Sequence, residues 1–179
     1  MSDKPMFDIL WAPWRLAYVQ DAAKAAGRGG AGECLFCTAP QLRDEDSLIV
    51  YRGRLAYVIL NKYPYNTGHL MIAPYRHVPS FEELTREEAL EVFELLGLSL
   101  RALRRAFEPH GFNVGANIGE AAGAGVPGHV HIHVVPRWIG DSNFMLVVGR
   151  TKVLPQLLSD TWAILRKQFS ELGGGSGLE

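Results

Sequence analysis

The stretch His129-Val130-His131-Ile132-His133-Val134-Val135 alternates imidazole and aliphatic side chains. Successive side chains of a β-strand point to opposite faces, so the spacing predicts a strand with three imidazoles on one side and the aliphatic residues toward a core. Alternate residues lie roughly 6.6 Å apart along a strand, which is close enough for the rings to line one pocket. Two alternatives stay open: exposed strand histidines without a role, and a metal site built from all three rings.

Five short runs rich in Val, Ile, Leu and Tyr predict the strands of an antiparallel sheet. A long helix separates the first three runs from the last two, and a shorter helix is expected at 154–169. Strands and helices do not alternate, which favours an α+β fold over a doubly wound one. The runs span 47–52, 55–61, 68–73, 112–118 and 129–135.

The long helix begins at a capping box, in which Thr85 accepts from the third helical amide and Glu88 reaches back to the cap. Pro109 and Gly111 end it. Apolar residues at three- and four-residue steps form one stripe, which we interpret as the core face of the helix. The stripe consists of Leu90, Phe93, Leu96, Leu100, Leu103 and Phe107.

Composition excludes several classes of partner. Eighteen Lys and Arg balance nineteen Asp and Glu, so no overall field attracts nucleic acid or an anionic membrane. The first residues lack the apolar run of a secretory signal, and no stretch approaches the roughly 20 apolar residues of a membrane span. A cytoplasmic protein is therefore expected.

The only two cysteines form Cys34-Leu35-Phe36-Cys37. This C-x-x-C spacing suits metal or redox chemistry better than a disulfide framework. From the residues alone, a zinc site, a redox pair and inert thiols all remain open.

The histidine stretch, followed by Pro136-Arg137, resembles the signature of the histidine triad family. The similarity runs from about Cys34 to Trp138. The resemblance implies an α+β fold with an antiparallel sheet of about five strands, one long helix and one C-terminal helix, assembled as a homodimer through the helix and sheet. The similar segments also include Asn61, 68–70, 73–77 and 117–119.

The resemblance makes His131 the nucleophile that attacks the α-phosphorus of a nucleotide and is transiently nucleotidylated. Its imidazole must be neutral, and the resemblance implies that its other nitrogen donates to a nearby backbone carbonyl. His133 is expected to contact the phosphate or the leaving oxygen. Water or another acceptor then takes the nucleotide.

Further nucleotide contacts are expected from two asparagines and a glycine-rich loop. Asn61 and Asn117 match family positions that contact ribose and phosphate, although each Asn could equally cap a turn. The backbone amides at Gly123 and Gly125 can approach phosphoryl oxygens, although a plain flexible loop gives the same pattern. The loop has Gly-Val-Pro-Gly at 125–128, where the commoner family pattern has a Gly-Gln-Ser-type segment, and this points to a subgroup that handles the leaving group differently.

The resemblance also implies a structural zinc site formed by Cys34, Cys37, His77 and His129, since several bacterial relatives carry this set. His129 would then not be a catalytic acid. His69 is interpreted as a satisfied core histidine, with support of the histidine triad as the alternative.

The expected organisation is an N-terminal aromatic arm and mobile loop at 1–33, the histidine triad domain at 34–138, a C-terminal extension with a helix at 139–172, and a flexible tail at 173–179. The aromatic segments at 11–15 and 137–144 look similar to bacterial proteins related to diadenosine tetraphosphate phosphorylases. Such segments either stack on a base or pack in a core or subunit interface, and packing is favoured.

The leading hypothesis is a nucleotide hydrolase or nucleotidyltransferase that cleaves dinucleoside polyphosphates, such as diadenosine tetraphosphate, or related adenylyl compounds. The alternatives are a diadenosine tetraphosphate phosphorylase with inorganic phosphate as acceptor, a nucleotide-binding adaptor without catalytic purpose, and a three-histidine metalloenzyme.

Overall fold

A computed structural model describes residues 34–149 and 154–173. The predicted N-terminal arm and loop, and all of the predicted tail except Gly173, lie outside these ranges. Single 3-10 turns at Ala39–Gln41, Phe81–Glu83 and Glu120–Ala122 join the main elements. Those elements are α1 Leu35–Thr38, α2 Asp44–Ser47, β1 Ile49–Arg52, β2 Ala56–Leu60, β3 Leu70–Pro74, α3 Arg86–Phe107, β4 Gly111–Gly115, β5 Ile132–Arg137, α4 Phe144–Val148 and α5 Leu158–Gly173.

The five strands form one sheet in the order β1-β2-β3-β5-β4, and every neighbouring pair is antiparallel. The α+β prediction is confirmed. Strand β5 begins at Ile132, three residues later than predicted, because the Val130 N–H donates to the Val78 carbonyl in a loop contact. Strand β1 begins at Ile49, because Ser47 belongs to the unpredicted helix α2.

Helices α3 and α5 cover one face of the sheet. Alternate residues of the central strands, Val58, Ile72 and Val134 among them, form the main core with both helices. On α5, Leu165 and Phe169 are fully buried. Among the described residues, no helix is long and apolar enough to cross a membrane.

The predicted core stripe of α3 is wrong at its first two positions. Leu90 is 60% exposed and Phe93 is 67% exposed. Apolar residues occupy more than one face of this helix, so periodicity alone did not fix which face meets the sheet. The face that packs on the core consists of Val92, Leu95, Leu98, Ala102 and Leu103.

Gly68 determines the conformation of the turn that leads into β3 and its close contact with α3. Its φ is +78°, and an added Cβ would lie 3.0 Å from Leu103 and 3.1 Å from Phe107 on α3. A side chain is excluded here both by the left-handed backbone and by the close contact with the helix. The turn before β3 is therefore held against α3.

The predicted capping box at the start of α3 is confirmed. The Thr85 hydroxyl accepts from the Glu88 amide, and the Glu88 carboxylate accepts from the Thr85 amide. The same carboxylate accepts two hydrogen bonds from Arg76, at 2.9 and 2.6 Å. Glu88 thus joins the helix start to the segment that follows β3.

We expect Glu88→Gln to lower the free energy of unfolding by about 1–3 kcal/mol at pH 7, because charge-assisted hydrogen bonds are lost. The Arg76 hydrogen bonds lower the pKa of Glu88 from its usual 4.5 to about 2. The contribution is therefore complete above pH 4.5 and is lost as the pH falls toward 2. Urea titrations of the wild type and of Glu88→Gln at several pH values should show that the difference in their free energies of unfolding becomes smaller in acid. A difference that does not change with pH would contradict the stabilising role of the charged Glu88.

Candidate active site and metal centre

His133 in β5 and His131, directly before the strand, lie side by side on the face of the sheet opposite α3. His133 pairs in register with Met71 of β3 and with Gly115 of β4. The ring centroids of His131 and His133 are 4.8 Å apart. Buried Ile132 and Val134 point into the core on the other face, as the alternation predicts.

The imidazole of His131 is held in one tautomer. Its Nδ1 lies 2.8 Å from the carbonyl oxygen of His129, which can only accept, so Nδ1 carries the proton. Burial lowers the pKa of His131 to about 4, which makes the ring neutral at pH 7. The lone pair is therefore on Nε2, as required of a nucleophile, and the predicted backbone acceptor is present.

His133 is held in the opposite tautomer through His69. The backbone amide of Tyr65 and the side-chain amide of Asn61 both donate to Nδ1 of His69, at 3.1 and 3.3 Å. Burial, reinforced by the neighbouring His133 and His131, lowers the pKa of His69 to about 3, so the neutral ring carries its proton on Nε2. That Nε2–H donates to Nδ1 of His133 at 3.0 Å, which leaves the proton of His133 on Nε2.

Neighbouring rings thus present a lone pair and an N–H group. His131 carries the lone pair on Nε2, and His133 carries the hydrogen on Nε2. Burial also lowers the pKa of His133, so this ring donates a hydrogen bond without carrying a positive charge. Such a pair is suited to attack on phosphorus with simultaneous stabilisation of a phosphoryl oxygen.

The third histidine belongs to a separate cluster. Ligand atoms of Cys34, Cys37, His77 and His129 all lie within 4.8 Å of one another. Nδ1 of His129 is 3.4 Å from the Cys34 sulfur and 3.6 Å from the Cys37 sulfur, and Nδ1 of His77 is 3.3 Å from the Cys37 sulfur. These separations match the edges of about 3.5 Å expected of a tetrahedral site with two sulfur and two nitrogen ligands. The four residues therefore form a cluster that can bind a metal ion.

His129 connects this cluster to His131. Its Nε2 donates to the Pro74 carbonyl at 2.9 Å, which leaves Nδ1 unprotonated and directed at the cysteine sulfurs. Its own carbonyl accepts the Nδ1 proton of His131. The fully buried ring of Phe36 packs between them, with its centroid 5.2 Å from His129 and 4.5 Å from His131.

A cavity of about 280 Å³ extends from Met71, the register partner of His133, across β2. Asn61 lines it, and so does Tyr63, whose side chain is 78% exposed. The mixture of an aromatic ring, aliphatic walls and an amide is typical of a small-ligand site. The aliphatic walls come from Leu35, Leu42, Ile59 and Leu60.

The predicted glycine-rich loop lies between β4 and β5. Gly119 and Gly123 have φ near +78°, and Gly125 has open space where a Cβ would stand. Within the described ranges, Asn117 makes no side-chain hydrogen bond, so its amide is available to a ligand. Nucleotide contacts by Asn117, Gly123 and Gly125 stay predictions.

Sequence reasoning underrated His69. It is fully buried, as predicted for a core histidine, but it also donates to His133. No sequence periodicity reveals this contact, which joins the turn before β3 to strand β5 across 64 residues. The sequence signal for this contact was the Gly68-His69 pair. Gly68 is required at its position, and a buried imidazole directly after it needs polar partners.

A family model described as "HIT domain" matches residues 43–138, which is more than half of the chain. The chain belongs to the HIT domain family. The predicted resemblance to the histidine triad (HIT) family is therefore confirmed.

Curated HIT relatives resemble this chain over different lengths. A Mycobacterium tuberculosis protein named AP-4-A phosphorylase is 45% identical over 172 residues, covering 95% of this chain and 88% of that protein. A bis(5'-nucleosyl)-tetraphosphatase [asymmetrical] of Schizosaccharomyces pombe is 33% identical over 91 residues, covering 51% of this chain and 50% of that protein. Among solved structures, a hypothetical histidine triad nucleotide-binding protein of Sulfolobus tokodaii aligns with a TM-score of 0.63 and 25% identity, over 78% of this chain and 93% of that one.

We expect nitrogen-15 NMR of the free protein at pH 7 to show His131 protonated on Nδ1 and His133 on Nε2. In His69→Phe, His133 loses its donor and should populate both tautomers, while His131 keeps its signal. His110→Phe, at an exposed histidine whose ring accepts from the Ile139 amide and has no hydrogen bond to these three histidines, is the matched control. An unchanged His133 in His69→Phe would contradict the proposed hydrogen-bond direction.

Proposed function

We propose that this HIT protein is a nucleotidyl hydrolase or nucleotidyltransferase that cleaves the α-phosphoryl bond of dinucleoside polyphosphates. The observation that carries the proposal is the pair of neutral rings with opposite tautomers, one offering a lone pair and the other an N–H group. The 280 Å³ cavity beside them receives the nucleoside, with Asn61 on the ribose.

The chemistry balances in two steps. Nε2 of His131 attacks the α-phosphorus, a P–N bond forms, and the P–O bond to the leaving nucleotide breaks. The hydrogen stays on Nδ1, which donates to the His129 carbonyl, so the phosphorylated ring is an imidazolium and a good leaving group. In the second step an acceptor oxygen attacks phosphorus, the P–N bond breaks, and its bonding pair returns to Nε2. Inorganic phosphate attacks as an anion, whereas water releases a proton to solvent as the P–O bond forms. His133 donates its Nε2–H to a phosphoryl oxygen, together with the loop amides at Gly123 and Gly125 and the Asn117 side chain.

Two acceptors are compatible with this site. Water would release AMP and ATP from diadenosine tetraphosphate, whereas inorganic phosphate would release ADP and ATP. The 45% identity to a protein named AP-4-A phosphorylase, over nearly the whole chain, favours phosphorolysis as the specific second candidate. A three-histidine metal site lacks support, because the ligand nitrogen of His129 faces Cys34 rather than the other two rings.

The first test is turnover of diadenosine tetraphosphate with and without inorganic phosphate, with products resolved by chromatography. We expect His131→Asn to reduce the rate by at least about 10⁴-fold, because the covalent step is abolished. Formation of ADP only with phosphate identifies a phosphorylase, and formation of AMP plus ATP without it identifies a hydrolase.

His110→Asn is the matched control for this test, since His110 is exposed and lies outside the site. Absence of turnover by the wild-type protein on diadenosine tetraphosphate and on adenosine phosphoramidate would refute the enzyme assignment and favour a nucleotide-binding adaptor.

The metal in the Cys34 cluster is proposed to be zinc. Two sulfur and two imidazole ligands in a closed tetrahedral arrangement suit zinc in a structural role, with no position open for water. The ion would hold the start of helix α1, with Cys34 and Cys37, against the segment before β5 that carries His129 and His131. Neither cysteine forms a disulfide, and both are available as zinc ligands, which is consistent with the proposed cytoplasmic location.

We expect elemental analysis to find one zinc ion per chain. Cys34→Ser and His77→Asn should lose it and unfold at markedly lower urea concentrations, because metal binding contributes to folding stability. His133→Asn, on the same strand but outside the cluster, should retain the ion. Zinc loss in His133→Asn with retention in Cys34→Ser would instead support the three-histidine metalloenzyme.

We also propose a homodimer that joins α3 and the edge strand β4 of two copies. Strand β4 ends the sheet, and its Val114 is 46% exposed. Exposed Phe93 and Leu90 of α3 continue this apolar surface, and a cavity of about 410 Å³ lies between Phe93 and Val114. An apolar edge strand of this kind is normally covered by a partner.

A further inference from the structure

A second cavity, of about 440 Å³, opens on the other side of His133. Val135, two residues further along β5 and on the same face as His133, lies in its wall opposite Asn113 of β4. Tyr65 forms another wall, and its ring stacks on His133 with centroids 6.1 Å apart. The cavity is within the size range of small-ligand sites, roughly 300–1,000 Å³.

Arg137 brings a fixed positive group to this cavity. Its guanidinium donates to both oxygens of Asp141, at 2.7 and 3.0 Å, and to Oδ1 of Asn113 at 2.6 Å. A guanidinium has five N–H groups, so two are left after these three hydrogen bonds. The side chain is 46% exposed, which keeps those groups within reach of a ligand.

Asp141 is itself anchored on several sides. It accepts from the Asn66 side chain at 2.7 Å and from the Trp138 amide at 3.2 Å. Asn66 is buried and also donates to the Pro136 carbonyl. The hydrogen bonds from Arg137 hold the pKa of Asp141 well below its usual range, so the carboxylate stays charged and keeps the guanidinium oriented. A planar donor held in this way is suited to phosphate oxygens.

The two cavities lie on opposite sides of His133, and each has one exposed tyrosine of the Tyr63-Pro64-Tyr65 segment in its wall. The first cavity spans β2 and β3, and the second spans β5 and β4, which is the order of these strands across the sheet. A ligand with a nucleoside at each end of a polyphosphate chain can therefore cross the sheet over the histidines.

We propose that the second cavity binds the leaving nucleotide of the substrate, with Arg137 on its phosphates and Tyr65 against its base. This inference rests on the proposed function. It assigns to Arg137, which follows the histidine stretch, the role of binding the phosphates of the leaving nucleotide. Ser142 lines this cavity and is exposed, so a larger side chain at this position would narrow the cavity from its rim.

The test measures binding in a His131→Asn background, where diadenosine tetraphosphate stays intact. AMP fills only the first cavity. The ratio of the dissociation constants for AMP and for diadenosine tetraphosphate therefore reports on binding in the second cavity. We expect the dinucleotide to bind more tightly than AMP. Arg137→Gln should weaken dinucleotide binding about tenfold relative to AMP binding, as expected for loss of charge-assisted hydrogen bonds. Ser142→Trp, which fills the cavity from its rim, should reduce the same ratio.

Arg101→Gln and Ser159→Trp change exposed residues on α3 and α5 and serve as matched controls. Thermal unfolding of each variant distinguishes a loss of binding from a loss of folding. If Arg137→Gln does not fold, Ser142→Trp still tests the proposal, because it leaves the hydrogen bonds of Arg137 in place. The proposal for the second cavity is overturned if the variants bind AMP and the dinucleotide equally more weakly. It is also overturned if both variants keep the wild-type ratio of dissociation constants. Failure of wild-type turnover, by contrast, refutes the proposed function and leaves the binding ratio to be read independently.

Discussion

The hydrogen bond from His131 to the carbonyl oxygen of His129 is the constraint on which the chemistry of this fold depends. It selects the tautomer that leaves a lone pair on Nε2 of His131. The carbonyl is itself fixed, because the His129 ring is held between the Pro74 carbonyl and the cysteine sulfurs. The cluster of Cys34, Cys37, His77 and His129 therefore acts on the orientation of His131 through the backbone.

Two neighbouring imidazoles need separate anchors to hold opposite tautomers. A shared hydrogen bond between His131 and His133 would leave their two protons free to exchange positions. Here His131 is anchored on the backbone carbonyl two residues before it, and His133 is anchored on His69, which directly precedes β3. Burial lowers the pKa values of all three rings, and Nδ1 of His133 accepts from His69, so His133 can donate from Nε2 without bringing a positive charge beside His131.

The sequence was most informative where local periodicity decides structure. The alternation at 129–135 predicted which side chains of β5 face the core, and the Thr85 capping box located the start of α3. Contacts between distant segments left no local signal. The His69 hydrogen bond and the Asn66 contact with Asp141 each join residues more than 60 positions apart. The buried face of α3 was misjudged at Leu90 and Phe93 for a related reason, because the sheet selects that face and the helix alone carries apolar residues on several sides.

The turn between β2 and β3 connects the two halves of the site. Asn61 and the Tyr65 amide hold His69, and through it the proton of His133. Asn66, in the same turn, holds Asp141, which orients Arg137 at the second cavity. Gly68 fixes this turn against α3 by having no side chain. Since one turn sets both the tautomer of His133 and the position of the Arg137 guanidinium, a shift of its backbone would alter the proposed chemistry and the proposed binding of the leaving nucleotide together.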